Sequence, residues 1–385
     1  MYAYLDNSAT TKVSENVTNL MVKVMMEDYG NPSSLHMKGV DAEKYIKESK
    51  DIIAKLLKVD AKEIIYTSGG TESNNLAIIG AAMANKRAGN RIITSSIEHP
   101  SVLATMKYLE DNGFEVIYLP VDSNGVVDME ALKEAMTKET ILVSVMHVNN
   151  EIGAIEPVSE ISKYIKSINP EVVFHVDAIQ SFGKLVVQPK KMGIDLLSVS
   201  GHKIHGPKGV GFLYASSKVK LKPIIFGGGQ QKGMRSGTEN VPGIAGIGLA
   251  AREAYENFEE KISKMIELKD YFIDRVTSIE NVTVNSSKGA EGAPHIISVS
   301  FLGVRSEVML HSLEDKEIYI SSGSACSSNK PSVSATLKGI GLKPEQIDST
   351  VRFSLSYDTT KEELDYAVDT VAGMIELLRK FTRRK

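Results

Sequence analysis

Between residues 64 and 215 the chain alternates regularly, and that alternation limits its possible folds more than any other feature. Short apolar runs rich in β-branched residues occur at Ile64–Ser68, Arg91–Ser96, Phe114–Val121, Ile141–Val148, Val172–Ala178, Leu196–Ser200 and Val210–Ala215. Amphipathic stretches of helical period separate most of them: Glu72–Asn85, Ser101–Asn112, Met129–Thr137 and Val158–Ser167. Strand–helix–strand alternation predicts an α/β fold, with a mostly parallel sheet covered by helices on both faces. Sheets of this kind bind ligands at the carboxyl ends of their strands.

A long helical tract is expected from Thr238 to about Ile279, with few breakers and long enough to cross between domains. Beyond it the pattern changes. Strand-like segments at Val282–Asn285, Ile296–Phe301, Ile318–Ser321 and Val351–Ser356 have fewer helices between them. The final helix, Lys361 to about Leu378, puts Leu364, Ala367, Val368, Val371, Met374, Ile375 and Leu378 on one face. This predicts a smaller α+β domain. The basic end, Arg379 to Lys385, reads as a solvated helix terminus that complements the helix dipole.

Composition excludes several classes. The net charge of −3 gives no basic field for nucleic acid. No apolar run is long enough to span a bilayer, and MYAYLDNSATT lacks the pattern of a secretory signal. A single cysteine, Cys326, forms no internal disulfide, which fits a reducing cytoplasm. Its neighbours, Ser321-Ser322-Gly323-Ser324-Ala325 before it and Ser327-Ser328-Asn329-Lys330-Pro331 after it, read as an exposed, mobile loop. A structural cysteine usually sits in an apolar run. The setting of Cys326 favours a reactive thiol.

Three clusters of functional residue types fall at predicted strand ends. Thr67-Ser68-Gly69-Gly70-Thr71-Glu72-Ser73-Asn74-Asn75 closes a strand and opens a helix. It reads either as a phosphate site on a helix N-terminus or as an ordinary capped turn. In His175-Val176-Asp177-Ala178-Ile179-Gln180, Asp177 is open to roles as base, ligand, partner of a cation or cap. The third cluster is Ser198-Val199-Ser200-Gly201-His202-Lys203-Ile204-His205-Gly206-Pro207-Lys208-Gly209. A lysine at a strand end can act as a Schiff-base nucleophile. His202 and His205 lack a third ligand within reach, so a metal reading is weaker. A phosphate cup, an acid for a pyridine nitrogen and a lysine for an aldehyde together meet the needs of pyridoxal phosphate.

With those residues in place, the chain resembles the cysteine desulfurases of the NifS/IscS type. The matching segments are YLDNSATT, GNPSSLH, TSGGTESNNLAI, IEHPSVL, HVNNEIG, HVDAIQSFGK, SGHKIHGPKGVG, GGGQQKGMRSGTENVPG, SSGSACSS and VRFSLS, in family order over nearly the whole chain. The resemblance implies a fold-type I pyridoxal-phosphate (PLP) transferase. Its large PLP-binding α/β domain would be 15–255, and its small α+β domain 1–14 with 256–385, carrying the cysteine loop.

The resemblance also implies roles. Lys203 would bond the cofactor aldehyde and move protons. Asp177 would hold the pyridine nitrogen protonated, and Gln180 would bond the phenolic oxygen. His99 would stack on the ring and relay protons. Gly70, Thr71, Ser200 and His202 would hold the phosphate, with Thr238 reaching the phosphate of a partner subunit. Asn150 would contact cofactor or substrate, Arg352 would pair with the substrate carboxylate, and Cys326 would take the sulfur. No metal is implied. The implied reaction converts L-cysteine to L-alanine in a cytoplasmic homodimer, with the persulfide passed to an acceptor protein of iron–sulfur assembly, nitrogenase maturation or tRNA thiolation. The chain stops soon after its last helix, which implies a shorter terminus than some IscS-type enzymes use toward their scaffold.

Neighbouring readings keep the cofactor and change the substrate: a selenocysteine lyase, a cysteine sulfinate desulfinase or an aminotransferase, the last having no use for Cys326. A reading of another class is a non-catalytic redox scaffold. Of the other histidines, His147 is expected to orient or fill the core, His36 to line a loop or the cofactor entrance, and His295 and His311 to be structural. Gly227-Gly228-Gly229 lacks the spacing of a dinucleotide fingerprint and reads as a turn toward the subunit-crossing segment.

Overall fold

The computed structural model describes residues 1–322 and 334–382. In chain order its strands are β1 (Ala3–Tyr4), β2 (Ile64–Thr67), β3 (Arg91–Ser95), β4 (Glu115–Leu119), β5 (Thr140–Met146), β6 (Val173–Asp177), β7 (Leu196–Ser200), β8 (Gly211–Ala215), β9 (Val282–Val284), β10 (Ile296–Phe301), β11 (Ile318–Tyr319), β12 (Ser321–Ser322) and β13 (Thr350–Ser354). The predicted strands of the first half are all present, with ends within two residues of those expected.

Seven of them form one sheet in the order β2-β8-β7-β6-β5-β3-β4. The run from β7 to β4 is parallel, and β8 lies antiparallel between β2 and β7. The crossovers explain the sequence pattern. A parallel strand covered on both faces has no polar side, so every residue of β5, β6 and β7 is buried. The last of the seven, β4, is at an edge and alone mixes exposed and buried positions. One large apolar cluster lies on one face, around Phe174, Phe182, Phe212 and Tyr214. A second lies on the other face, under the helices Gly70–Asn85 and Pro100–Asp111.

Two helices near the N-terminus, Glu15–Met26 and Met37–Leu57, were not foreseen by strand–helix alternation, because they precede the first strand of that sheet. Their own signals are local. Ser14 caps the first helix by accepting a hydrogen bond from the Val17 N–H. Ala42, Ile46, Ile53 and Leu57 form the buried stripe of the second. Both pack on the helix Val241–Tyr255.

The expected long tract after Thr238 is two helices, Val241–Tyr255 and Phe258–Thr277. Asn257 stands between them with φ of 50°, a left-handed conformation that asparagine tolerates better than most residues. The second helix belongs to a separate apolar cluster with β10, β13 and the final helix, Lys361–Thr382. There the predicted face is in place: Leu364, Ala367, Val368, Val371, Ile375 and Leu378 are buried, and Met374 is partly buried.

A four-stranded antiparallel sheet, β12-β13-β10-β9, forms this smaller α+β layer. The expected strand Ile318–Ser321 is divided: β11 pairs parallel with β1, and β12 joins β13. The chain start is thereby tied to the last third of the sequence. Arg379, read as part of a solvated end, is instead buried and donates to the Leu302 and Glu280 carbonyls. The tip of that basic end, residues 383–385, lies outside the described residues. No helix among the described residues is long and apolar enough to cross a membrane.

Candidate active site

The carboxyl ends of the parallel strands open into a cavity of about 550 Å³ between the two layers. Ten of the sequence-predicted residues line it: Gly70, Thr71, His99, Asn150, Asp177, Gln180, Ser200, His202, Lys203 and Arg352. A larger surface groove of about 740 Å³, beside Tyr357 and Glu253, holds none of them. Thr238 does not line the cavity and is exposed. Cys326 lies outside the described residues, between β12, whose Ser321 and Ser322 line the cavity, and Ser334.

The floor is a helix start. Gly69 precedes the helix Gly70–Asn85 with φ of 148° and ψ of −173°, a region that only glycine enters freely. A Cβ on Gly70 would come within 2.2 Å of Ile179 Cδ1, so any larger residue there would have to displace the Ile179 side chain. The helix start at Gly70 and Thr71 lines the same cavity as Ser200 and His202, and N–H groups of a helix first turn are donors that could hold a phosphate.

Asp177 ends β6, where its carboxylate is buried. Its Oδ2 accepts from Asn74 Nδ2 at 2.8 Å, and Oδ1 accepts from the Ile179 N–H at 2.9 Å. Burial pushes its carboxyl up, opposed by those hydrogen bonds and by the basic groups His99 and Lys203. The donor set is that of an acid kept for a cationic partner, as a pyridinium nitrogen would be. Asn74, which orients it, was quoted within a sequence cluster and given no role there.

His99 caps the helix Pro100–Asp111: the Ser101 N–H donates to Nδ1 at 3.1 Å. Nδ1 is therefore an acceptor, and the neutral ring carries its proton on Nε2. Burial lowers the His99 pKa, with Asp177 pulling the other way.

Lys203 follows β7 in a single 3₁₀ turn, Gly201–Lys203. Its Nζ donates to the carbonyls of Ser8 and Ala9, at 2.5 and 2.7 Å. Gln180 Nε2 reaches the same Ser8 carbonyl at 3.0 Å, while Gln180 Oε1 accepts from His295 Nε2 at 3.1 Å. The N-terminal segment thus supplies a wall of the site. Its signal was YLDNSATT, a motif matched to the family without a residue role. His295, expected to be structural, is fully buried and orients the Gln180 amide. Beneath Lys203, the buried Lys184 donates to the Lys203 carbonyl at 2.7 Å.

Arg352, on β13, is buried and lines the same cavity. It donates from Nη1 to the Asn150 carbonyl at 2.7 Å, and from Nη2 to Asp6 and Ser321 at 3.0 Å each. Asn150 meets Arg352 through its backbone. Of the remaining histidines, His147 is buried and held down to about 4 by desolvation, His36 is exposed at the start of a helix, and His311 pairs with Glu314 on the surface.

A strand-end lysine and acid facing a glycine-opened helix are the site of a pyridoxal-phosphate enzyme, and the aminotransferase class-V family model matches residues 3–367. The cysteine desulfurase IscS of Dictyoglomus turgidum is 44% identical over 99% of this chain and 96% of its own. Cysteine desulfurase IscS 1 of Archaeoglobus fulgidus is 43% identical over 98% of each. A solved NifS-like protein superimposes with a TM-score of 0.92 at 37% identity, covering 98% of this chain and all of the other. A solved SspA, in complex with cysteine, gives 0.80 at 34% identity over 93% of this chain. The chain belongs to the cysteine desulfurases of the class-V aminotransferase family, and its cofactor is pyridoxal phosphate.

Proposed function

We propose that this protein converts L-cysteine and the Cys326 thiol to L-alanine and a Cys326 persulfide. The sulfur then goes to an acceptor protein of iron–sulfur assembly or tRNA thiolation, in the cytoplasm. The observation that carries the reading is one cavity lined by Lys203, Asp177 and His99 of the large layer and by Arg352 of β13, together with Ser322, which stands four residues before Cys326 in the chain. Atoms balance: the substrate carbon exchanges its bond to sulfur for one to hydrogen, and the sulfur bonds to Sγ of Cys326.

Bound pyridoxal phosphate supplies an electron sink for the bonds at the substrate Cα. The residues of the chain do the rest. The helix start at Gly70 and Thr71, with Ser200 and His202, holds the phosphate, and Asp177 meets the pyridine nitrogen. Gln180 turns its amide toward the phenolic oxygen. Arg352 holds the substrate carboxylate by charge-assisted hydrogen bonds. Lys203 Nζ is the base for the Cα proton, and His99 Nε2 carries a proton toward the substrate sulfur side. The Cys326 thiolate is the nucleophile.

Assembly as a homodimer is supported by exposed apolar side chains concentrated near the N-terminus: Met26, Tyr29, Leu35 and Met37. Thr238, exposed in the single chain, is assigned to the phosphate site of the second copy. The division into 15–255 and 1–14 with 256–385 is supported by the separate apolar clusters of the two layers.

The test is Cys326→Ala. The variant keeps the visible absorbance of the bound cofactor and still changes it on adding L-cysteine, but alanine formation falls by at least about a hundredfold. Parent enzyme given L-cysteine without reductant gains one sulfur by intact mass, and the variant gains none. Alanine and sulfide released at the parent rate by the variant would overturn the assignment and favour a lyase acting on cysteine or selenocysteine.

A further inference from the structure

Arg352 is not a free fork. A guanidinium offers a carboxylate two parallel N–H bonds from only two edges, Nη1 with Nη2 or Nε with Nη2. Both use Nη2, and Nη2 already donates to Asp6 Oδ1 and to Ser321 Oγ, at 3.0 Å each. Nη1 donates to the Asn150 carbonyl at 2.7 Å. Nε is buried and has no partner among the described residues. The spare donors are thus at Nε and the second hydrogen of Nη1, and neither edge is complete.

Asp6 is placed by the backbone: the N-terminal segment bridges to Ser354, two residues from Arg352 on the same strand. Asp6 lines the cavity with Arg352, Asn150 and Ser321. Its Oδ1 also accepts from the Ser321 hydroxyl at 2.7 Å. That second bond survives if Arg352 lets go, so releasing Asp6 does not strand it without a donor. The pair also has a reason to exist while the site is empty, because a buried guanidinium with no counter-charge is costly.

We propose that Asp6 is a positioning residue that occupies Arg352 as a surrogate for the substrate carboxylate and is exchanged for it on binding. This rests on the reading of Arg352 as the carboxylate anchor. Substrate binding then trades one carboxylate for another, so Asp6 weakens the grip on every amino acid that enters. Substrates without a carboxylate leave the Asp6–Arg352 pair in place.

Asp6→Asn tests this, because it keeps the shape and an acceptor oxygen and removes the charge. In the holoenzyme, the calorimetric Kd for L-alanine and the KM for L-cysteine fall about three- to tenfold. The kcat changes by less than about twofold, and the Kd for L-alaninamide is unchanged. Asp6→Ser, also neutral, changes L-alanine binding in the same direction. A Kd for L-alanine that rises or stays constant in both variants overturns the proposal, since a merely structural Asp6 would loosen Arg352. Arg352→Gln separates the two levels. If it keeps the parent's preference for L-alanine over L-alaninamide, the anchor assignment itself fails. If it loses that preference while the Asp6 variants change nothing, only the exchange fails.

Discussion

Two buried lysines, one in each layer, show opposite solutions to the same electrostatic problem. Lys269, on the helix Phe258–Thr277, is wholly buried, and the three N–H groups of its Nζ are spread over four carbonyls, those of Ser287, Gly289, Gly292 and Ala293, at 3.0 to 3.3 Å, one N–H being shared between two of them. Lys184, under the active site, has one carbonyl partner among the described residues, that of Lys203, and Lys203 is also the charge that opposes it. Burial takes Lys269 down to about 8 and Lys184 down to about 7. The same cationic side chain of Lys184 also bears on His202, His205 and His295, each of which it pushes down. A satisfied ammonium holds a loop. A poorly satisfied one, among other basic groups, belongs to a region kept polar for a ligand. Stability and activity should therefore separate between the two layers.

The largest expected effect is at the cavity. Lys203→Ala lowers turnover by about a thousandfold or more, because one amine serves both cofactor attachment and proton transfer. Its urea midpoint, measured without cofactor, stays close to that of the parent. A large loss of apo-protein stability would erase the distinction drawn here.

Lys269→Met should behave in the opposite way. Four carbonyls lose a charged donor, and the protein is destabilised by about 2–4 kcal/mol in equilibrium urea unfolding. The kcat per folded molecule is unchanged. A drop in kcat with an unchanged unfolding midpoint would show that the loop 287–293 serves the site rather than the fold.

The smallest effects belong to Lys184→Met. Losing one hydrogen bond to the Lys203 backbone lowers kcat about three- to tenfold. Its pH dependence has a definite sign. A folded-state pKa near 7 against an ordinary 10.5 means that the unfolded chain binds more protons between those values, so this lysine adds stability as pH rises through the window. The parent's unfolding midpoint should thus gain on that of Lys184→Met from about pH 7 upward. For Lys269→Met the gain begins near pH 8. Parallel pH profiles for parent and variants would show that neither ammonium is held out of water as the structure has it.

The strands and crossover helices of the large sheet were legible because a parallel strand buried on both faces is mostly apolar, and that leaves apolar runs such as Ile141–Val143, with its few polar residues, Ser144 among them, hydrogen-bonded inside. The cavity residues were legible because strand ends concentrate Gly69-Gly70, Asp177 and Lys203 at fixed places in that alternation. Side-chain type and strand-end position, which are local, thus lie in the sequence itself. The division of the Thr238–Ile279 tract was less legible, since one asparagine in a left-handed conformation leaves little trace in apolar periodicity.

What only the tertiary structure decided is long-range pairing. Ser8 and Ala9 meet Lys203, separated by almost two hundred residues, and Asp6 meets Arg352 across nearly the whole chain. These contacts are made by β1 joining β11 and by Asp6 bridging to Ser354. No local pattern of a two-residue strand records its partner. Hydrogen bonding between distant backbones, rather than propensity, set the N-terminal wall of the site and the charge that Arg352 carries into binding.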